Sequence, residues 1–120
     1  MTKWIPVPWV QWRRYRVAGV IREAESGRPV PGLWVQAFDE DVQSDDFLGE
    51  CGTDADGRFE IDFTDADFKD VLESRPDLYL LVRSEARGVI LDTSFEVRRD
   101  ASESEYFELT VPRKQLDPSD

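Results

Sequence analysis

From Tyr15 onward, short apolar alternations separated by turn residues run along the chain, the pattern of an all-β fold rather than of repeating βαβ units. Seven strands are predicted. The first covers Tyr15 to Ile21 and leads into Ser26-Gly27-Arg28-Pro29-Val30-Pro31-Gly32, where glycine and proline supply the dihedrals of a wide turn. The second runs from Leu33 to Phe38 and the third from about Phe47 to Thr53, followed by Asp54-Ala55-Asp56-Gly57, which reads as a tight hairpin turn. In the fourth, Phe59, Ile61 and Phe63 alternate with Glu60 and Asp62, so one face is buried and one is wet. Leu78 to Arg83, Val89 to Val97 and a last strand around Phe107, Leu109 and Val111 complete the set.

One helix is predicted from about Asp65 to Ser74. Thr64 or Asp65 caps it, Phe68, Val71 and Leu72 form an i, i+3, i+4 stripe, and Pro76 pushes Arg75 out of helical geometry. The expected organisation is an N-terminal arm over residues 1–13, one sandwich domain over 14–114 and a frayed tail over 115–120. The fold class is therefore a seven-stranded antiparallel Greek-key β-sandwich with one short helix and an aromatic arm.

Charge narrows the function. The 120 residues carry 26 acidic and 15 basic side chains and no histidine, a formal net charge of -11 that argues against nucleic acid as a partner. The missing histidine removes the commonest zinc ligand and the Ser-His-Asp and Cys-His catalytic arrangements. Cys51 is the only cysteine, so an internal disulfide is excluded, and inside a strand pattern it reads as an inert thiol. Two prolines interrupt the start of the chain before an h-region can form, and no stretch approaches the roughly 18 apolar residues of a membrane span. A cytoplasmic location is the default expectation. The charges are also segregated: residues 1–22 hold five basic side chains and no acid, whereas residues 36–70 hold thirteen acids against Arg58 and Lys69.

The run Val17-Ala18-Gly19-Val20-Ile21, the turn Glu25-Ser26-Gly27-Arg28-Pro29-Val30-Pro31-Gly32, the strand Val35-Gln36-Ala37-Phe38 and the segment Gly52-Thr53-Asp54-Ala55-Asp56-Gly57-Arg58-Phe59 resemble the transthyretin-like (prealbumin-like) family. Carboxypeptidase regulatory-like modules belong to the same group. The resemblance covers about half the chain and implies a sandwich used as a binding, structural or adhesion module. It also implies that the family's enzymes do not transfer, because the related hydroxyisourate hydrolases use histidines and the related intradiol dioxygenases use histidine and tyrosine iron ligands. No enzymatic activity is expected on this reading.

The candidate chemistry lies in the loop Phe38-Asp39-Glu40-Asp41-Val42-Gln43-Ser44-Asp45-Asp46-Phe47-Leu48-Gly49. Calcium takes about six to eight oxygen ligands, and Asp39, Asp41, Asp45 and Asp46 supply several. The spacing is similar to the third calcium loop of the membrane-binding domains of protein kinase C and synaptotagmin, although one residue shorter. Strand alternation places Asp65, Asp67, Asp100 and Glu103 at the same end as completing ligands. The alternative is a solvated acidic loop whose repulsion is relieved by Arg13, Arg14, Arg98 or Arg99. Asp54-Ala55-Asp56-Gly57 also looks like the start of an EF-hand loop, but the twelfth position is Asp65 rather than Glu.

Trp4, Trp9 and Trp12 interleave with Pro6 and Pro8 in the first twelve residues. Such an arm either folds back over its own sandwich or docks on a neighbouring copy, joining a homo-oligomer or larger assembly. The expected function is thus a calcium-binding structural or assembly module. Its alternative is a metal-independent subunit that self-assembles through the arm.

Overall fold

A computed structural model of the chain describes residues 12–68 and 75–116. Seven strands are present: β1 (Arg14–Glu23), β2 (Trp34–Asp39), β3 (Asp46–Gly52), β4 (Arg58–Thr64), β5 (Leu78–Ser84), β6 (Gly88–Asp92) and β7 (Ser104–Val111). They form a three-stranded sheet in the order β4-β1-β7 and a four-stranded sheet in the order β3-β2-β5-β6. A single turn of helix, α1 (Arg113–Leu116), ends the described chain, and Leu116 packs against the core.

Period-two alternation builds that core. Tyr15, Val17 and Ile21 of β1, Phe59, Ile61 and Phe63 of β4, and Phe107 and Val111 of β7 meet Val35 and Ala37 of β2, Leu48 of β3, and Leu78, Leu80 and Val82 of β5. Each large side chain removed from water in this way contributes about 1.5–3 kcal/mol. Gly19 is required by the same packing: a Cβ there would lie 2.3 Å from the Phe107 carbonyl oxygen and 2.6 Å from Phe59 Cζ. The glycine lets the Phe59 ring cross over β1.

Three expectations are corrected here. The strands are not all antiparallel, because β7 lies parallel to β1, with Val17 opposite Glu105 and Ile21 opposite Leu109. The two are joined through the whole intervening chain, so local pattern carries no trace of their direction. The predicted helix contains only a 3-10 turn, Asp65–Asp67, among the described residues, because Phe68 is extended at φ -127 and ψ 153. Its ring is drawn into the core, edge-on to Tyr15 and Phe63 at 5.8 and 6.2 Å. Positions 69–74 of that helix lie outside the described residues. Finally, the 54–57 turn does not close a hairpin: β3 and β4 belong to different sheets, so it carries the chain across the fold. Asp54 Oδ1 accepts from the backbone N–H groups of Asp56 and Arg58, both at 2.9 Å, and Gly57 holds φ 74.

The end of β6 also differs. Residues Thr93–Glu96 form a 3-10 turn capped by Asp92, not the second half of a strand. Beyond it, Leu78 and Arg98 exchange two backbone hydrogen bonds of 2.9 Å, and the Ala101 N–H donates to the Pro76 carbonyl at 2.8 Å. This clip holds the 98–101 segment beside the start of β5.

Candidate functional site

The end of β2, the start of β5 and the 98–100 segment enclose an open cleft of about 450 Å³ lined by Asp39, Asp41, Asp45, Asp77 and Arg99, among others. Backbone pairing brings them together. Asp39 faces Asp46 across the β2–β3 ladder and Leu78 across the β2–β5 ladder, and the Glu40 N–H donates to the Asp77 carbonyl at 2.8 Å.

Within the cleft the aspartates bind the protein itself. Asp39 Oδ1 accepts from the Asp77 N–H at 2.8 Å. Asp45 accepts twice, from the Asp41 N–H at 3.0 Å and from the Tyr79 hydroxyl. Asp77 accepts from the Asp100 N–H at 2.9 Å, and Arg99 pairs with both Glu40 and Asp77. Asp100 adopts φ 53, a left-handed conformation that Asp tolerates better than most side chains.

The electrostatics follow from this geometry. Burial pushes the Asp39 carboxyl up to about 6, the bond from the Asp77 N–H opposes that rise, and the neighbouring charges of Asp77, Asp46 and Asp41 add to it. Asp45 moves the other way, held low by the hydrogen bonds from Tyr79 and Asp41. Burial and the Asp45 charge raise the Tyr79 hydroxyl well above its ordinary range. The cleft thus contains a carboxyl that changes charge near neutrality in a chain without histidine.

Of the completing ligands expected from sequence, Asp100 stands beside the cleft with its N–H on Asp77, while the other three are engaged elsewhere. Asp65 Oδ1 accepts from the Arg13 N–H at 2.9 Å, Asp67 caps the 3-10 turn by accepting from the Thr64 N–H at 2.9 Å, and Glu103 pairs with Arg13 at 3.2 Å. Among the described residues, no three His, Cys, Asp or Glu side chains are grouped so as to hold a metal ion. Carboxylates already bonded to backbone N–H groups and arginines leave no shared centre. Of the arm residues, Trp4, Pro6, Pro8 and Trp9 lie outside the described residues, and Trp12 is partly exposed beside the start of β1.

Sequence reasoning missed Asp77 and Arg75 as members of the cleft, and Tyr79 as the donor to Asp45. Asp77 stands next to the strand Leu78–Ser84, whose β2 partner runs up to Asp39, but nothing local to either segment announces the pairing. Of the arginines proposed to relieve the acidic loop, Arg99 reaches it through Glu40, whereas Arg98 turns to Glu105 at 2.9 Å and stacks 3.6 Å over the Phe107 ring.

No family model and no curated protein matches the chain. Solved structures do. A 9R-lipoxygenase from Cyanothece PCC8801 is 25% identical with a TM-score of 0.56, over 83% of this chain and 17% of that one. The dioxygenase domain of a dioxygenase carbohydrate-binding protein fusion from Streptomyces sp. SirexAA-E is 14% identical with a TM-score of 0.53, over 89% and 84%. Chlorocatechol 1,2-dioxygenase from Pseudomonas putida is 8% identical with a TM-score of 0.52, over 85% and 61%. This chain therefore spans about a sixth of the lipoxygenase it matches.

These likenesses overturn several expectations. The matching folds are those of a lipoxygenase and dioxygenases, not of transthyretin-like modules, because turn chemistry alone carried that resemblance. Those neighbours are enzymes, against the expectation of a non-enzymatic module, and calcium is withdrawn as cofactor together with the calcium-binding structural and assembly function. A histidine–tyrosine iron centre does not fit either. The chain has no histidine; of its three tyrosines, Tyr15 is stacked on Phe63 in the core, Tyr79 is bonded to Asp45, and Tyr106 is exposed on β7 in the other sheet. What the comparisons establish for this chain is its fold, one shared with oxygenases.

Proposed function

We propose that this chain is the β-sandwich unit of an oxygenase-type enzyme, working with a larger catalytic unit, fused or separate, that supplies the metal centre. The observation that carries this reading is the lipoxygenase alignment, which takes in most of this chain and only 17% of that one. The absence of histidine supports it, since the chain brings the sandwich without the commonest metal-binding side chain. The contact is read as running through the four-stranded sheet, where Trp34, Phe47 and Val89 are all exposed. We further read the path, which crosses between sheets after β1, β3, β4 and β6, as a Greek key.

The test is recovery of the tagged chain from its source cells after mild cross-linking, with identification of what is attached and oxygen uptake measured on the recovered material. The reading expects a larger oxygenase, lost when Trp34 and Phe47 are both changed to Ala. Oxygen uptake by the isolated chain supplied with iron(II) and catechol or linoleate would replace it with a self-sufficient enzyme.

A further inference from the structure

A phenol gives up an electron far more easily when its hydroxyl proton can leave at the same time, because the protonated radical it would otherwise become is very acidic. The chain has three tyrosines, and the fold equips them differently. The Tyr79 hydroxyl donates to the carboxylate of Asp45. Among the described residues, the hydroxyls of Tyr15 and Tyr106 meet no carboxylate.

At Tyr79 the ring is shielded while the proton acceptor is wet. Only 9% of Tyr79 is exposed, since its ring stacks on Phe38 at 5.4 Å and 15°, directly across the β2–β5 ladder. Asp45 lies on the exposed loop between β2 and β3. Its donors hold its carboxyl low, so it is ionised at neutral pH, whereas the Tyr79 phenol is raised well above its ordinary range and stays protonated. An electron leaving Tyr79 therefore leaves together with the proton. Burial also keeps a phenoxyl ring from coupling to another chain, a reaction open to Tyr106, which is 53% exposed. The route to the surface is short: Phe38 meets Phe47 edge-on at 5.7 Å, and Phe47 is half exposed on the outer face of the sheet. Trp34 shares that face of β2, four residues before Phe38, with its indole N–H on Glu50 at 2.7 Å.

We propose that Tyr79 is a redox-active tyrosine that quenches organic peroxyl radicals, giving its electron to the radical and its proton to Asp45. The Tyr79 O–H bond breaks, a new O–H bond forms on Asp45 Oδ2, and the electron reduces the peroxyl radical to a peroxide anion, which takes a proton from water to become a hydroperoxide. Tyr79 is left as a neutral phenoxyl radical. A radical that strikes Trp34 first reaches the same end, because the indole radical cation is refilled by the Tyr79 electron with the same proton transfer to Asp45. The proposal rests on the oxygenase reading only for the source of peroxyl radicals, which are by-products of oxygenation.

Pulse radiolysis of the whole chain in aerated solution with carbon tetrachloride and 2-propanol tests it, since this mixture generates trichloromethylperoxyl radicals and the phenoxyl and indolyl products absorb in separate bands. The phenoxyl radical is expected as the final species, absent from Tyr79→Phe, formed about tenfold more slowly in Asp45→Asn and formed in full in Tyr106→Phe. Phenylalanine at position 79 keeps the ring stack, and circular dichroism checks that each variant is folded. Phenoxyl yield unchanged in Tyr79→Phe, phenoxyl lost in Tyr106→Phe, a folded Asp45→Asn as fast as the unaltered chain, or radicals that end on tryptophan in the unaltered chain would each overturn the proposal. The chain is tested alone, so the outcome is separate from whether a larger oxygenase is recovered with it.

Discussion

The Tyr79 hydroxyl donates a hydrogen bond to Asp45 Oδ2 across 34 residues of sequence, tying the acidic loop to the four-stranded sheet. The same ring stacks on Phe38 at 5.4 Å, and Phe38 meets Phe47 edge-on at 5.7 Å. Tyr79→Phe keeps the stack and removes only the donor. It should cost about 1–2 kcal/mol in urea denaturation and let the Asp45 carboxyl rise toward its ordinary value, which carboxyl NMR titration reads directly. An unchanged Asp45 titration would mean that the hydroxyl does not govern the loop.

Asp39 makes stability fall as pH rises. Its carboxyl titrates near 6 in the folded chain against 3.8 as the ordinary value, so the folded state holds the proton more tightly. The stabilisation linked to this proton is complete below pH 4 and is lost as pH climbs through about 6. After a discount for solvent screening of a half-exposed group, the loss is roughly 1 kcal/mol. Asp39→Asn keeps an oxygen for the Asp77 N–H and should flatten the stability profile between pH 4 and 7. Asp45 has the opposite linkage, contributing stability above its unfolded value and losing it on strong acidification.

Gly19 should tolerate no side chain. A methyl group would sit 2.3 Å from a backbone oxygen of β7, which cannot move without disturbing the β1–β7 ladder. Gly19→Ala is expected to cost about 3 kcal/mol or to prevent folding, whereas Gly27→Ala, with open space around it, should show only the strain of its positive φ. Thermal melts of the two variants separate crowding from backbone strain.

Asp100 is a sharper test of the left-handed conformation. Its backbone N–H is held by Asp77 while φ stands at 53, so Asp100→Gly should be neutral or slightly stabilising and Asp100→Val should lose about 1–2 kcal/mol. Equal effects of the two changes on the denaturation midpoint would show that the segment can refit around a different dihedral.

Much of the strand pattern could be read directly from the chain, because alternation is local: Phe59, Ile61 and Phe63 announce their buried face wherever β4 is placed. Helical spacing around Phe68 misled for the same reason. The stripe is real in sequence, but burying the Phe68 ring against Tyr15 and Phe63 pulls its backbone into extended geometry. The acidic loop was visible as a concentration of charge. Its chemistry was not visible, since charge counts do not say which carboxylates already have donors.

By itself, then, the sequence determined the seven-strand character, the buried faces, the acidic loop and the lack of histidine chemistry, all of which depend on composition or on neighbours a few residues away. Tertiary structure alone decided that β7 runs parallel to β1 and that Asp77 and Tyr79 hold Asp39 and Asp45. Those relationships join segments far apart along the chain. Their energies come from hydrogen bonds and burial that exist only once both sheets have closed on one core.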